Sequence, residues 1–324
     1  MESRVTALMP VKNGAVFLKK SIPQLQLSCK TTDEILIIDD FSEDNSVEIV
    51  KDAARTDQRI RFLINSNPGI VGALNLGLSE ASNEWIARFD VDDRYEISRL
   101  DEQRVSISAN VIGIFSDYDF FGEDFQYLGT IPSAIDSDAV AVSLISSQRT
   151  AHPSILFNRG SVLDVGGYKQ EDFPAEDLSL WLRMSRVGNL VSIPKVLLHY
   201  RLSAGSVTGT KRQASILKKR SLIQSIGINP LNVEKASSKL EQIFEVYKPE
   251  SFSNEREILL IRDLIMILRT HKLPEKSSKK LKSQLIAYVA RNLASSSKTK
   301  SLIRLQKEKK LRDNARNFKK CRNS

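Results

Sequence analysis

Short apolar runs rich in β-branched residues alternate with amphipathic segments in the first part of the chain. Four runs are predicted strands, at residues 5–9, 35–38, 61–64 and 85–89. Pro10 is expected to close the first. The second is wholly apolar, as expected of a strand buried on both faces of a parallel sheet. The alternation predicts an open α/β sheet with right-handed crossovers.

Helical periodicity separates these strands and returns later in the chain. A helix is predicted over residues 45–54 with Ser42 as its N-cap. Residues 69–81 are predicted to form a loop that enters a second helix. Residues 178–184 have the pattern of a buried helix, and residues 196–198 that of a further strand. The first 200 or so residues therefore read as one layered α/β unit.

The pattern changes near residue 211, where strand-like runs largely end. Four helices are predicted beyond it, at residues 216–226, 233–247, 255–268 and 281–293. Charge changes at the same point: residues 1–210 carry 20 basic and 29 acidic residues, whereas residues 211–324 carry 28 and 10. The net charges of −9 and +18 predict two regions with different tasks, an α/β domain over 1–210 and a helical, strongly basic region over 211–324.

Composition is that of an ordinary globular protein, with 41% apolar and 27% charged residues. No apolar stretch approaches the ~20 residues that span a bilayer, and the best one, residues 258–268, is interrupted by Arg262 and Asp263. The first ten residues do not resemble a signal peptide. Cys29 and Cys321 are too far apart in sequence to suggest a disulfide framework or a metal site. We therefore expect a cytoplasmic protein.

Acidic residues follow two of the predicted strands. Asp39 and Asp40 end the second strand, and Asp90, Asp92 and Asp93 follow the fourth. In open α/β sheets, ligands bind at the carboxyl ends of the strands. Carboxylates spaced as Asp90-Val91-Asp92 suit Mg²⁺ or Mn²⁺, although the same spacing alone also occurs in solvated turns. An acid after the second strand also occurs in dinucleotide-binding dehydrogenases, but the glycine-rich turn that they need is absent after the first strand.

A glycine-rich loop leads into the helix that precedes the fourth strand. The loop enters the helix near Asn67, Gly69 and Gly72, and the N-terminus of a helix favours an anionic group. The alternative is a plain helix start. A separate acidic pair, Glu176 and Asp177, begins the predicted buried helix, where one carboxylate is placed to act as a general base or merely to interact favourably with the helix dipole.

Five different motifs follow one another along the chain, at residues 9–14, 38–44, 67–77, 87–93 and 175–183. Together they resemble the family 2 glycosyltransferases, which have the GT-A fold, over roughly residues 3–205. The resemblance implies a Rossmann-like, mostly parallel mixed sheet flanked by helices. It also implies inverting transfer of a hexose or N-acetylhexosamine from a nucleoside-diphosphate sugar, expected to be a UDP-sugar, to a hydroxyl of a glycan or lipid-linked acceptor in surface polysaccharide synthesis.

The resemblance assigns donor-side roles to particular residues. It implies Asp92 as the direct ligand of Mn²⁺ or Mg²⁺, with Asp90 or Asp93 assisting. It places Asp40 near the nucleoside base and Pro10 on the wall of the same pocket. Further donor contacts are expected from Asp39, Asp90, Arg201 and the loop of Asn67, Gly69 and Gly72. Lys12 departs from the residue types common at its position in the family.

The acceptor side is expected around the second acidic motif. The resemblance implies that Asp177 is the catalytic base and that Glu176 contacts the acceptor or supports the loop. His152 lies in a segment that matches the acceptor side, although a lone histidine is more often structural. Arg201 is placed to reach the diphosphate, since its guanidinium suits phosphate oxygens, or else is an ordinary surface arginine.

The basic region after residue 210 allows three interpretations. It binds the anionic inner face of the plasma membrane, it binds an anionic acceptor, or it is a solvated helical surface. We favour peripheral membrane association. The alternative function is a nucleic-acid or anionic-surface binding protein with an idle GT-A domain, although no nucleic-acid motif is present and nucleic acid is not the expected partner. Two other enzyme classes are disfavoured. A nucleotidyltransferase would need a basic, glycine-rich triphosphate loop near the N-terminus, which is not found, and a glycosidase would need a carboxyl pair at a defined separation.

Overall fold

The computed structural model describes residues 3–124, 126–133, 137–145, 150–203 and 210–225. The strands in these residues are β1 Val5–Val11, β2 Glu34–Asp39, β3 Ile60–Ile64, β4 Trp85–Arg88, β5 Arg94–Tyr95, β6 Val111–Phe121, β7 Tyr127–Ile131, β8 Leu156–Asn158 and β9 Asn189–Arg201. The helices are α1 Ala15–Ser28, α2 Ser46–Thr56, α3 Ile70–Glu80, α4 Arg99–Arg104, α5 Ser137–Ile145, α6 Arg159–Asp164, α7 Glu176–Met184 and α8 Arg212–Ser225. Two 3₁₀ turns, His152–Ser154 and Gln170–Asp172, complete the elements described.

These strands form one mixed sheet in the order β3-β2-β1-β4-β8-β6-β9-β5, with β7 beside β6. The first four positions in this order are parallel, as are β6 and β9. Strand β8 runs antiparallel to both β4 and β6 and joins the two parallel parts. The predicted mixed, mostly parallel sheet flanked by helices is confirmed. Because β1, β2 and β4 are parallel, their carboxyl ends meet at one edge of the sheet.

Every residue of β1 and β2 is buried, which explains their continuous apolar runs. The prediction that Pro10 closes β1 is wrong, because the strand continues to Val11 and Pro10 pairs with Ile38 of β2. The β1–β4 ladder ends at Leu8 and Arg88, so Pro10 faces no β4 partner that would need its missing N–H. The proline is therefore tolerated inside a central strand.

The predicted N-cap of α2 is also misplaced. The residue that caps α2 is Asn45, and the helix begins at Ser46. Ser42 instead folds the preceding turn, where its backbone N–H donates to Asp39 Oδ2 at 3.0 Å. Helix α1, which the sequence patterns did not predict, contains Pro23 in its interior. A proline there weakens the helical signal, since it removes one backbone donor.

The predicted helix at residues 216–226 is present as α8, which begins earlier, at Arg212. The other three predicted helices and the basic tail lie outside the described residues. The domain boundary near residue 210 stays a prediction. Among the helices that the structure describes, none combines the length and apolar character required to cross a bilayer.

Candidate active site

The loops after β1 and β2 are joined by hydrogen bonds into one wall at the carboxyl edge of the sheet. The backbone N–H of Asn13 donates to Ser42 Oγ at 2.9 Å, and the N–H of Glu43 donates to Asn13 Oδ1 at 2.8 Å. A third bond runs from the N–H of Ala15 to Asp44 Oδ2 at 3.0 Å. Asn13 adopts φ 51°, a region that asparagine tolerates better than most residues. The wall above β1 is therefore formed before any ligand binds.

The two aspartates at the end of β2 have different surroundings. Asp40 Oδ1 accepts hydrogen bonds from Asn65 Nδ2 at 2.8 Å and from the N–H of Gly69 at 2.9 Å, so this carboxylate holds the next loop in place. Asp39 is buried, and its Oδ2 accepts from Ser42. Within the described part of the chain, Asp39 Oδ1 has no hydrogen-bond partner. Asp39 Oδ1 is therefore a buried acceptor that the described residues leave unpaired.

The loop before α3 packs tightly on itself. Asn65 brackets Asn67, because its Oδ1 accepts the Asn67 N–H at 3.1 Å and its Nδ2 donates to the Asn67 carbonyl at 2.6 Å. Gly69 has φ +102°, which favours glycine. A Cβ on Gly72 would lie 1.8 Å from the Asn67 carbonyl oxygen. The Asn67 carbonyl therefore makes the close backbone approach that a glycine at position 72 permits.

Replacing Gly72 with alanine is expected to destabilise the protein by about 1–3 kcal/mol, because the loop must move to admit a methyl group. The same change at Gly160, an exposed position in α6 whose added Cβ meets only a side-chain atom at 3.3 Å, is the matched control. We expect the control to be neutral or slightly stabilising, since alanine favours helix. Thermal unfolding of both variants checks this, and equal unfolding temperatures would contradict it.

The acidic loop after β4 is held by partners on both sides. The Asp90 carboxylate forms an ion pair with Arg88, and the Asp90 N–H donates to Tyr95 Oη at 2.6 Å. Asp93 is buried, and its Oδ1 accepts the backbone N–H of Arg201, the last residue of β9, at 2.8 Å. Asp90 and Asp92 are both partly exposed, and Asp92 has the more distant cationic partner, Arg201, at 3.7 Å.

The three carboxylates of this loop repel one another. Burial, followed by the nearby charge of Asp90, raises the pKa of Asp92. Burial, followed by Asp90 and Asp92, raises the pKa of Asp93 well above its ordinary value. Asp93 Oδ2 is buried and has no hydrogen-bond partner among the described residues. A divalent cation would relieve this repulsion.

The donor set fits a cation that the protein holds only in part. In the residues described, no three carboxylate, imidazole or thiolate groups converge on one point. Mg²⁺-type sites commonly use one or two carboxylates and complete their shell with water and substrate phosphates. Asp92 fits this role best, because Asp90 is paired with Arg88 and Asp93 with the Arg201 N–H.

Arg201 lies at the same edge, as its predicted donor role requires. Its Nη1 lies 3.7 Å from Asp92 Oδ2, and its guanidinium stacks 4.9 Å from the ring centre of Phe17 in α1. The backbone of Arg201 is fixed by Asp93. The residue is therefore a positioned cation beside the acidic loop, unlike an ordinary surface arginine.

The second acidic pair begins α7, as predicted. Asp177 Oδ1 accepts the N–H of Leu178 at 2.7 Å, and Asp177 is only partly buried. Glu176 is 8% exposed, and burial together with the adjacent charge of Asp177 raises its pKa to about 7. The two carboxylates thus differ: one is accessible to an acceptor, and the other is buried and holds its proton more tightly.

The raised pKa of Glu176 predicts a pH-dependent stability. The unfolded chain ionises this group near its ordinary pKa of 4.5 and the folded chain near 7, so its contribution to folding is lost as pH rises through that window. In Glu176→Gln this loss is absent. We expect the unfolding temperature of the variant, relative to the wild type, to rise from pH 4.5 to 7 and then level off. Thermal melts across pH check this, with Glu43→Gln at an exposed position as control.

His152 is part of an aromatic group behind α7. Its Nε2 lies 2.8 Å from Tyr168 Oη, and its ring packs 5.7 Å from that of Trp181. Burial, followed by the charge of Arg88, lowers the pKa of His152 well below its ordinary value, so the ring is neutral. Asn75 in α3 holds the Tyr168 backbone in both directions, with bonds of 2.9 and 3.0 Å. The predicted acceptor-side placement of His152 stays a prediction.

Arg88 is a site residue that the sequence patterns missed. It is 4% exposed, it pairs with Asp90, and its charge also acts on Glu176. Burial opposes its charge, but Asp90 and Tyr95 outweigh that effect and raise its pKa. The available signal was a cation two residues before Asp90 in an otherwise apolar strand. The positive charge of Arg88 thus acts on both acidic groups, since it also opposes the rise in the pKa of Asp92 and Asp93.

Comparison with known proteins gives consistent matches. The model of glycosyl transferase family 2 matches residues 6–124. An uncharacterized glycosyltransferase of Haemophilus influenzae is 33% identical over 177 residues, which cover 52% of this chain and 68% of that protein. The UDP-Gal:alpha-D-GlcNAc-diphosphoundecaprenol beta-1,3-galactosyltransferase of Escherichia coli is 26% identical, with 60% and 71% covered. An uncharacterized glycosyltransferase of Rickettsia felis is 26% identical over 64% of this chain, which spans only 34% of that longer protein.

Solved structures share the fold at low sequence identity. S. aureus TarS 1–349 in complex with UDP-GlcNAc has a TM-score of 0.55 and 13% identity, with 92% of this chain and 83% of that chain covered. The mannosyltransferase PcManGT from Pyrobaculum calidifontis, in complex with GDP-Man and Mn²⁺, has a TM-score of 0.50 and 14% identity, with 98% and 83% covered. On its motifs, its sheet and these matches, the chain belongs to glycosyltransferase family 2 and has the GT-A fold.

Proposed function

We propose that the protein transfers a hexose or N-acetylhexosamine, with inversion, from a UDP-sugar to a hydroxyl of a lipid-diphosphate-linked sugar in surface glycan synthesis. The observation that carries this proposal is that two acidic groups lie within electrostatic reach of one buried cation, Arg88. The Asp90–Asp93 loop suits a donor diphosphate with its cation, and the Glu176–Asp177 pair suits proton removal from an acceptor.

Named relatives support the substrate class. One E. coli relative uses UDP-Gal and a second, 26% identical over 64% of this chain, uses UDP-Glc, and both act on alpha-D-GlcNAc-diphosphoundecaprenol by name. The S. aureus structure holds UDP-GlcNAc, and the archaeal one holds Mn²⁺. This chain shares the fold of those two structures. It also contains the acidic loop that the proposal needs.

On the donor side, the proposed roles follow from the contacts. The nucleoside is expected beside Asp39 and Asp40, where Asp40 also keeps the loop of Asn67 and Gly69 in position. A divalent cation held by Asp92 would stabilise the negative charge that develops on the leaving diphosphate. Arg201 adds a fixed positive charge beside the same oxygens.

On the acceptor side, Asp177 removes the proton of the attacking hydroxyl. That oxygen forms the bond to the anomeric carbon while the bond from this carbon to the phosphate oxygen breaks, and UDP leaves on the opposite face. Glu176, buried beside Asp177, supports the first turn of α7. Arg88 acts on both groups and offsets part of the negative charge of each.

The proposal is tested by release of nucleoside diphosphate from a panel of sugar nucleotides with Mn²⁺ or Mg²⁺. We expect metal-dependent release of UDP from one or a few UDP-sugars, which would also identify the sugar. Release of pyrophosphate would instead indicate a nucleotidyltransferase. Salt-sensitive binding to generic duplex nucleic acid, without turnover of any sugar nucleotide, would overturn the proposal in favour of a binding protein.

A further inference from the structure

Helix α8 brings a basic segment to the rim of the acceptor side. Residues 211–225 contain five basic residues and no acidic ones: Lys211, Arg212, Lys218, Lys219 and Arg220. The proposed function gives no role to these cations. A second anionic group, besides the donor diphosphate, therefore has to be considered as their ligand.

Three of the lysines approach the turn that precedes the catalytic pair. Lys218 Nζ donates to the Glu171 carbonyl at 2.5 Å, which anchors α8 on this turn. Lys211 Nζ lies 5.3 Å from the ring centre of Phe173. Lys219 is close enough to Glu176 for its charge to act on that carboxylate. The chain therefore places positive charge directly beside the residues that receive the acceptor.

The chemistry of the proposed acceptor explains why charge is needed there. When the acceptor hydroxyl belongs to the same sugar that carries the diphosphate, the phosphates lie within one sugar ring of the catalytic base. Lysine and arginine are the side chains that bind such oxygens. An acceptor without a diphosphate would bring no anion to this position.

We infer that Lys211, Lys218 and Lys219 form a subsite for the diphosphate of a lipid-diphosphate-linked sugar acceptor. This inference rests on the proposed function, because it takes Asp177 as the base that marks the acceptor hydroxyl. It adds a binding site to that function, and it explains why the change to positive charge begins beside the catalytic domain.

The test uses the full chain, two soluble acceptor analogues and a double variant. One analogue is N-acetylglucosamine with a short-chain alkyl diphosphate at C1, and the other carries a neutral alkyl group of the same length. The variant is Lys211→Ala with Lys219→Ala, which leaves the Lys218 anchor intact. Lys19→Ala with Lys20→Ala, two exposed lysines of α1, is the matched control. Affinity is measured by calorimetry, so that the result does not depend on turnover.

We expect the wild type and the control to bind the diphosphate analogue more tightly than the neutral one. The double variant is expected to lose about ten- to hundredfold in affinity for the diphosphate analogue only. Equal binding of both analogues by the wild type, or an unchanged affinity in the variant, would overturn the inference. An equal loss for both analogues would mean that the lysines only support the loop.

The donor provides the second source of a diphosphate. Binding of UDP with Mn²⁺ is therefore measured in the same variants, and we expect it to be unchanged. A loss of UDP affinity with unchanged acceptor affinity would assign the lysines to the donor and overturn the inference. If no sugar nucleotide is turned over by the wild type, the proposed function fails, whereas the calorimetric comparison still decides the subsite.

Discussion

Asp92→Asn is expected to lower metal-dependent release of UDP by about a thousandfold. Asp90 and Asp92 are the partly exposed carboxylates of the acidic loop, but Asp90 is already paired with the buried Arg88, whereas Asp93 accepts the Arg201 N–H. Asparagine keeps the size of the side chain and removes its charge. The repulsion that raises the pKa of Asp93 falls at the same time, so folding is expected to be preserved or improved.

A matched control and a binding measurement make this result specific. Asp52→Asn changes an exposed aspartate of α2 whose ion-pair partner, Arg55, lies one turn along the same helix. We expect it to leave both release and metal affinity unchanged. Binding of Mn²⁺ in the presence of UDP, measured by electron paramagnetic resonance, should weaken in Asp92→Asn alone. Wild-type turnover and metal affinity in that variant would assign the cation to another residue.

Asp177→Asn is expected to reduce sugar transfer by about a thousandfold and to leave UDP-sugar affinity unchanged. Asparagine retains an oxygen that can accept the N–H of Leu178, so α7 should begin at the same residue. What is lost is the ability to take a proton. Transfer is measured with a saturating donor, and donor affinity separately by calorimetry.

Glu176→Gln is the comparison that separates the two carboxylates. Because Glu176 is buried and supports the turn, we expect its replacement to reduce transfer by a smaller factor than that of Asp177. The reverse order would identify Glu176 as the base. The pH dependence of transfer would then show a rise near 7, where Glu176 ionises, and Glu176→Gln would abolish that rise.

Parts of the fold that depend on local pattern were predictable. Strands β1, β2 and β4 are short and buried, and the acids after β2 and β4 mark the carboxyl edge of a parallel sheet. Strand β8 has only three residues and joins β4 to β6, which are distant in sequence. Its position depends on tertiary packing, and no local periodicity reveals it.

The candidate site divides in the same way. The sequence motifs predicted where Asp40 and Asp92 lie, because both follow strands. They did not predict that Asp40 accepts hydrogen bonds from Asn65 and Gly69, whereas Asp39 Oδ1 is buried and unpaired. The partners of Asp40 come from a loop about 25 residues later in the chain. Arg88 was missed for a related reason: a charge inside a strand has meaning only when its neighbours are known.

The bond pair between Asn75 and Tyr168 has a mechanical consequence. One side-chain amide on helix α3 is bonded to both the backbone N–H and the backbone C=O of Tyr168, 93 residues away in sequence. A hinge between these two segments would break both bonds at once. The seam is therefore expected to move as a single rigid piece, and the exchange of substrates and products to depend on motions elsewhere around the cleft.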